Sequence, residues 1–246
     1  MDEPAMIDHM NETDTPAFHA ARAGLYAAVA GAFVYPDEET VTELIDPDAV
    51  EGIVRAGERT GLEEEAEALA GALVDVSLPA LQREYNDLFG VPSADGTYSV
   101  VPYEGNYTVG SEVDDEQRRI AAVVGLLETV GLEPSDGFDE RQDHVATELE
   151  LMQVAAGQRA VVHERASDPD DNEVLDEIVG VESAMLSNHL IDFVPAFAHD
   201  IREATDSAVY LAAADLAQSL VEYDESLHPP APTDPDDVSA TGVVGR

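Results

Sequence analysis

The spacing of apolar residues is the feature that most constrains the fold, because they recur every three or four positions over most of the chain. Val145, Leu149, Met152 and Ala156, for example, follow one another at intervals of four, three and four, which places them on one face of an α-helix. No segment alternates convincingly between apolar and polar residues, as a half-buried strand would. The sequence therefore predicts an all-α fold, a single globular bundle of several helices.

Prolines and polar caps mark where the predicted helices begin and end. Thr15 followed by Pro16 predicts a helix start, because Thr is a good cap and Pro suits the first helical position. Tyr35 before Pro36 ends that helix. Further helices are predicted over residues 37–45, 62–76, 111–130, 143–162, 173–193 and 207–223, with additional starts at Asp48, Leu78 and Pro195.

Three segments lack helical periodicity. Residues 1–14 and 227–246 are polar and acidic or rich in Pro and Asp, so we expect both ends to be disordered. They leave residues 15–226 as the helical domain. Residues 90–110 are rich in Gly, Pro, Ser, Asn and Tyr, and a long internal loop of this kind is usually functional or disordered. Its tyrosines and prolines favour a functional loop.

The charge balance excludes several classes of protein. The 246 residues include 53 Asp or Glu and 11 Lys or Arg, all of the latter Arg, for a net charge of -42. Broad binding to nucleic-acid phosphates or anionic lipids needs a basic surface. Without Lys or Cys, P-loop, Schiff-base, thiolate and cysteine-ligated metal chemistry are excluded as well.

The acidity itself predicts a protein adapted to concentrated salt. In a compact chain so many carboxylates repel one another and destabilise the fold. At 1 M ionic strength the Debye length is only about 3 Å, so this repulsion is largely screened. The acids are spread along the whole chain, a pattern that resembles proteins of halophilic archaea more than a docking surface for a basic partner. We expect unfolding at low salt. No basic signal-peptide start precedes an apolar run, so we expect a soluble cytoplasmic protein.

Asp143, His144 and Glu148 form an acidic motif at the predicted start of the helix over 143–162. His144 and Glu148 are four residues apart and share one helix face. Metal ligation by His144 and Glu148, with or without Asp143, general acid–base catalysis, and a capped helix start with a His–Glu contact all stay open. Helical di-metal sites use a Glu-x-x-His pair from each of two helices, and the chain does not contain two such pairs. We therefore predict no metal, no cofactor and no catalytic residue.

Two aromatic stretches precede this motif. Tyr85, Leu88 and Phe89 lie at helical spacing, which favours core packing. Tyr103 and Tyr107 lie on the Pro- and Gly-rich segment and would suit a groove for an extended peptide.

The order of these motifs resembles a known family. Y-x-x-L-F at 85–89, P-Y-E-x-x-Y at 102–107 and E-x-x-D-H at 140–144 follow one another, as in the TorD/DmsD/NarJ family of molybdoenzyme maturation chaperones. The resemblance covers roughly residues 20–223. It implies an all-helical cytoplasmic chaperone, not an enzyme. Such a chaperone binds the twin-arginine signal peptide and the apo form of a molybdopterin oxidoreductase catalytic subunit, assists cofactor insertion and delays export.

The resemblance also implies which residues bind the client. The implied signal-peptide and client contacts are Tyr85, Leu88, Phe89, Pro102, Tyr103, Glu104, Tyr107, Asp143, His144 and Glu148. Carboxylates suit the two guanidiniums, and an apolar groove suits the stretch that follows them. The chain departs from the family in having Arg141 and Gln142, where relatives often have Pro, and in having no Trp.

The client and the assembly stay open at this level. Dimethyl sulfoxide, trimethylamine oxide and nitrate reductases are all possible clients, and the protein is expected as a monomer or homodimer. A metal-dependent helical-bundle enzyme using His144 and Glu148, or a general helical adaptor, are the alternatives. Stoichiometric metal in the purified protein would favour the enzyme.

Overall fold

A computed structural model describes residues 14–74, 76–90, 99–108, 113–132, 140–165 and 169–228. Every regular element within these ranges is helical, which confirms the all-α prediction. The two ends predicted to be disordered lie almost wholly outside the described residues. The helices are α1 Pro16–Ala32, α2 Glu38–Leu44, α3 Pro47–Thr60, α4 Glu63–Val74, α5 Leu78–Phe89, α6 Gly105–Thr108, α7 Val113–Thr129, α8 Val145–Arg165, α9 Pro169–Met185, the π-helical segment Leu186–Leu190, α10 Ile191–Ala204 and α11 Ala208–Leu227.

Local chemistry sets the ends of the first helices. Thr15 Oγ1 accepts a hydrogen bond of 3.2 Å from the Phe18 amide, and Pro16 opens α1. The Asp46 carboxylate caps α3 in the same way and Pro47 opens it. Gly61 ends α3 in the left-handed conformation at φ 79°, which glycine adopts without a steric penalty. The predicted starts at Thr15–Pro16 and Leu78 are confirmed, and α3 begins one residue earlier than expected.

One predicted helix start is wrong. Pro195 lies inside α10, which continues from α9 through the π segment Leu186–Leu190. Proline breaks a helix interior because its ring clashes with the preceding turn and its missing N–H removes one hydrogen bond. Here it lies in the early part of α10, just after the wider π turns have changed the helical register. The chain therefore needs no break at this position.

The helices pack around α1 and α11. α1 makes its most extensive contact with α8 and also packs on α3 and α11, while α11 contacts α4 and α10. An aromatic cluster fills part of the core: Phe33 lies 5.1 Å from Phe197, and Phe89 lies 5.7 Å from Tyr210 and 5.0 Å from Tyr85, between ring centroids. None of the helices in the described ranges is long and apolar enough to cross a bilayer.

A buried ionic network ties four helices together. The Arg22 guanidinium of α1 has no exposed surface and donates from Nε and Nη2 to the Asp224 carboxylate of α11, at 2.8 and 2.5 Å. It also forms an ion pair of 2.9 Å with Glu182 of α9, which in turn meets Arg159 of α8 at 2.9 Å. The Tyr26 hydroxyl donates to Asp224 at 2.9 Å.

Candidate functional site

Two segments far apart in the chain meet along their backbones at the candidate site. Tyr103 and His144 form an isolated antiparallel bridge. The Glu104 amide donates to the Asp143 carbonyl at 2.9 Å, and the Val145 amide donates to the Pro102 carbonyl at 2.8 Å. The loop before α6 is thereby fixed against the start of α8. The structure thus brings the P-Y-E and D-H motifs together.

Most of the polar residues predicted for client binding are buried here. Glu104, Asp143 and Glu148 have no exposed surface, and His144 is 1% exposed. Pro102 is also buried, whereas Tyr103 and Tyr107 are partly exposed. In this conformation the buried carboxylates face neighbouring side chains of the protein itself.

The apolar residues of the prediction join the aromatic core. Tyr85, Leu88 and Phe89 are at most 8% exposed, as expected for core packing. Phe89 stacks 6.0 Å from Phe197, which lies 6.4 Å from the Tyr107 ring. One core phenylalanine therefore connects α5 with the candidate site.

Glu104 is held by side chains from three elements. Its carboxylate accepts hydrogen bonds from Arg119 of α7 at 2.8 Å, from Thr108 of α6 at 3.2 Å and from His189 of the π segment at 2.9 Å. Arg119 also donates to the Asn188 carbonyl. Arg119 and His189 were not among the predicted site residues, since no spacing in the sequence connects them with position 104.

Glu148 is a buried carboxyl group surrounded by other acids. Burial first, and then the charges of Glu104 and Asp143, raise the pKa of Glu148 well above its ordinary value. Neither of its oxygens meets a donor among the described residues, and the neighbouring Glu104 carboxylate is itself an acceptor. The raised pKa favours the protonated form of Glu148, whose hydroxyl can donate to the Glu104 carboxylate.

His144, rather than Asp143, caps α8. Its Nδ1 accepts a hydrogen bond of 3.1 Å from the Ala146 amide. Burial lowers the pKa of His144 to about 4, so the ring is neutral and able to accept. The Asp143 carboxylate turns away from α8 and accepts from the Gly105 amide at 3.1 Å.

Arg141 lies on the outer side of the paired segments, residues 102–104 and 143–145. Its guanidinium donates to both Asp143 oxygens, from Nε at 2.9 Å and from Nη2 at 2.5 Å. It also forms an ion pair with Glu116 of α7, and its Cζ lies 4.8 Å from the centre of the Tyr103 ring. The Tyr103 hydroxyl donates to the exposed Glu140.

The family model for the nitrate reductase delta subunit matches residues 56–199, more than half of the 246-residue chain. The chain belongs to the nitrate reductase delta subunit family. This confirms the resemblance to the molybdoenzyme maturation chaperones. A chaperone role in the maturation of molybdoenzymes follows from the family in general terms. No curated protein matches the chain.

The match to the delta subunit family includes both paired segments of the candidate site, residues 102–104 and 143–145.

Within the described part of the chain, two groups of residues are close enough to hold a metal ion: Glu104, Glu148 and His189, and Asp14, His19 and His163. His144 belongs to neither group. In the first, Arg119 and His189 already contact Glu104. In the second, Arg159 lies 3.1 Å from Asp14, so each group has a cation of its own nearby.

A separate groove of about 960 Å³ runs between α1, α2 and α3. Small residues of α1 line one wall, and Leu44 and Ile53 line the other, with Arg55 and Arg59 at the edge. It contains none of the residues predicted for client binding.

Proposed function

We propose that this member of the nitrate reductase delta subunit family binds the twin-arginine leader and the apo form of a molybdopterin oxidoreductase catalytic subunit. In this proposal it acts in the cytoplasm, assists cofactor insertion and delays export of its client. The family's description favours a nitrate-reductase-type client over dimethyl sulfoxide or trimethylamine oxide reductases. The observation that carries the proposal is the backbone pairing of residues 102–104 with 143–145, which gathers the acidic and aromatic residues of the two motifs at one place.

The exposed part of this place suits a cationic peptide with an apolar stretch. We define the aromatic–acidic patch as Tyr35, Tyr103 and Glu140, with the buried Tyr85 packed against Tyr35. Tyr35 is 48% exposed and meets Tyr85 edge to face at 5.4 Å. Burial first, and then the charge of Glu140, raise the pKa of Tyr85 to about 12, so the carboxylate disfavours the ionised form of this tyrosine.

Each part of the patch has a role in the proposal. Glu140 pairs with a client guanidinium, and the face of Tyr103 provides a cation–π contact. Tyr35 and the partly exposed edge of Tyr107 contact the apolar stretch of the leader. The buried residues Glu104, Asp143 and His144 support the patch by holding the loop against α8.

Salt sets how the affinity is divided among these contacts. In molar KCl the Debye length is about 3 Å, so the large negative charge does not steer the leader over distance. Direct carboxylate–guanidinium pairs and apolar contacts then supply the affinity.

Calorimetric titration of the full chain with a synthetic twin-arginine leader peptide in 2 M KCl tests the proposal. We expect saturable binding by the wild type and weaker binding by Glu140→Gln and by Tyr103→Ala. Glu51→Gln, which removes an exposed carboxylate of α3, is the matched control and should bind as the wild type does. Absence of binding by the wild type, or equal binding of a peptide with both arginines replaced by glutamine, would contradict the proposal.

A further inference from the structure

We infer that Arg141 fills a guanidinium-binding site of this protein and that an arginine of the client binds by displacing it. The inference rests on the proposed function, which it deepens by naming the site that takes an arginine. The occupied site consists of Asp143, Glu116 and the face of Tyr103.

The contacts of Arg141 are those by which proteins recognise arginine. Nε and Nη2 donate to the two oxygens of Asp143 at 2.9 and 2.5 Å, which is the two-pronged geometry that a planar guanidinium makes with a carboxylate. Glu116 pairs with the third nitrogen. The Tyr103 ring covers the guanidinium face at 4.8 Å, a distance at which a cation is attracted to the ring.

The residues that bind the Arg141 guanidinium are fixed in place. Asp143 is fully buried, and its carboxylate accepts the Gly105 amide at 3.1 Å while its carbonyl accepts the Glu104 amide at 2.9 Å. A Cβ added at Gly105 would lie 3.1 Å from the Arg141 Nη2 and 3.1 Å from an Asp143 oxygen. Glycine at this position therefore leaves the room that the guanidinium uses.

Arg141 itself can leave the site. Arg141 lies in the turn before α8, only two residues from Asp143, and its side chain is 35% exposed. The guanidinium has a path to solvent that leaves the helices in place. Arg22 provides a contrast within the same chain, because its side chain has no exposed surface and lies between α1, α9 and α11.

Because Arg141 belongs to the same chain as the site it fills, it lowers the apparent affinity of the site for an arginine of the client. The apparent dissociation constant is the intrinsic constant divided by the fraction of molecules in which the site is open. If Arg141 leaves the site open in about a tenth of the molecules, its removal tightens client binding roughly tenfold. Glu140, exposed beside the site, would then pair with the second arginine of the leader.

Replacement of Arg141 by methionine tests the inference, since methionine keeps an apolar stem and removes the guanidinium. Arg55→Met is the matched control, because Arg55 pairs with Glu51 on an exposed helix face. Two probes are titrated against each variant in 2 M KCl: the twin-arginine peptide and N-acetyl-argininamide. The peptide with two lysines in place of the arginines is the third titration.

We expect Arg141→Met to bind the twin-arginine peptide about tenfold more tightly than Arg55→Met, and to bind N-acetyl-argininamide where the control shows no saturable binding. The dilysine peptide should gain little, since an ammonium group cannot make the two-pronged contact. Arg141→Lys, which retains a cation beside Asp143, should fall between wild type and Arg141→Met. If far-UV circular dichroism shows that the methionine variant folds poorly, the Arg141→Lys variant still tests the inference.

The outcomes separate the two proposals. If N-acetyl-argininamide binds Arg141→Met and Arg141→Lys no better than it binds Arg55→Met, the guanidinium site is overturned. If argininamide binding improves but no variant binds the leader peptide, the site stands and the proposed client is wrong.

Discussion

The buried network around Arg22 leads to the sharpest stability prediction. Arg22→Met removes the cation that pairs with Asp224 and Glu182, while the methionine stem keeps much of the volume. Glu182 retains Arg159 at 2.9 Å and His228 at 3.1 Å. Asp224 retains the Tyr26 hydroxyl at 2.9 Å. The uncompensated charge therefore falls mainly on Asp224.

The expected loss follows from that uncompensated charge. Removing one partner of a buried ion pair costs about 3–5 kcal/mol, whereas an ordinary domain has about 5–15 kcal/mol of stability in total. Arg22→Met should therefore lose a large share of the free energy of unfolding. The double variant Arg22→Met/Asp224→Leu removes the stranded carboxylate as well and should be more stable than Arg22→Met alone.

Urea unfolding followed by circular dichroism provides the measurement, because urea is uncharged and leaves the KCl concentration constant. Arg55→Met is the control, since Arg55 and Glu51 are 60% and 66% exposed and such pairs contribute at most about 1 kcal/mol. The loss in Arg22→Met should be the same in 1 and 3 M KCl, because the ions are buried from the screening salt. A loss no larger than that of Arg55→Met, or a double variant as unstable as the sum of its single changes, would refute the reasoning.

Three further predictions concern salt, pH and packing. The melting temperature should rise steeply with KCl, and a melt that is unchanged between dilute buffer and molar KCl would remove the interpretation of the charge as salt adaptation. Because the pKa of Glu148 is raised, the native state keeps a proton that the unfolded chain loses above about pH 4.5. Its contribution to stability thus declines as the pH rises from there, and Glu148→Gln should flatten this decline in urea unfolding at pH 5 and 8. Gly57→Ala should destabilise the protein by about 1–3 kcal/mol, since the added Cβ would lie 2.4 Å from the Ala66 Cβ. Gly52→Ala in the same helix meets nothing within 4 Å and should be neutral or stabilising in the same assay.

The site could be predicted from the sequence only in part. The motif order led to the family of molybdoenzyme maturation chaperones and to client contacts at positions 85–89, 102–107 and 140–148. The structure brings residues 102–104 and 143–145 together. The predicted contacts of individual residues with the client stay predictions. The burial of Glu104 and Asp143, and their pairing with Arg119, His189 and Arg141, had no counterpart in the sequence pattern.

The helix error at Pro195 has the same origin. A proline in an apolar pattern predicts a boundary from the interactions of a few neighbouring residues. The π segment before it depends on how α9 and α10 pack against the rest of the bundle, and it also turns His189 towards Glu104. No local rule contains that information.

The sequence by itself determined the helical class, most of the helix limits and the family. Caps such as Thr15 and the apolar spacing of α8 act over three or four residues, so they can be read along the chain. Tertiary structure alone decided which charges are buried and which cations meet them. Gly105 and Asp143 are 38 positions apart, and Arg22 and Asp224 are 202 apart. Contacts over such separations arise from the packing of whole helices. That packing decides which of the 53 acidic residues lies against a given arginine.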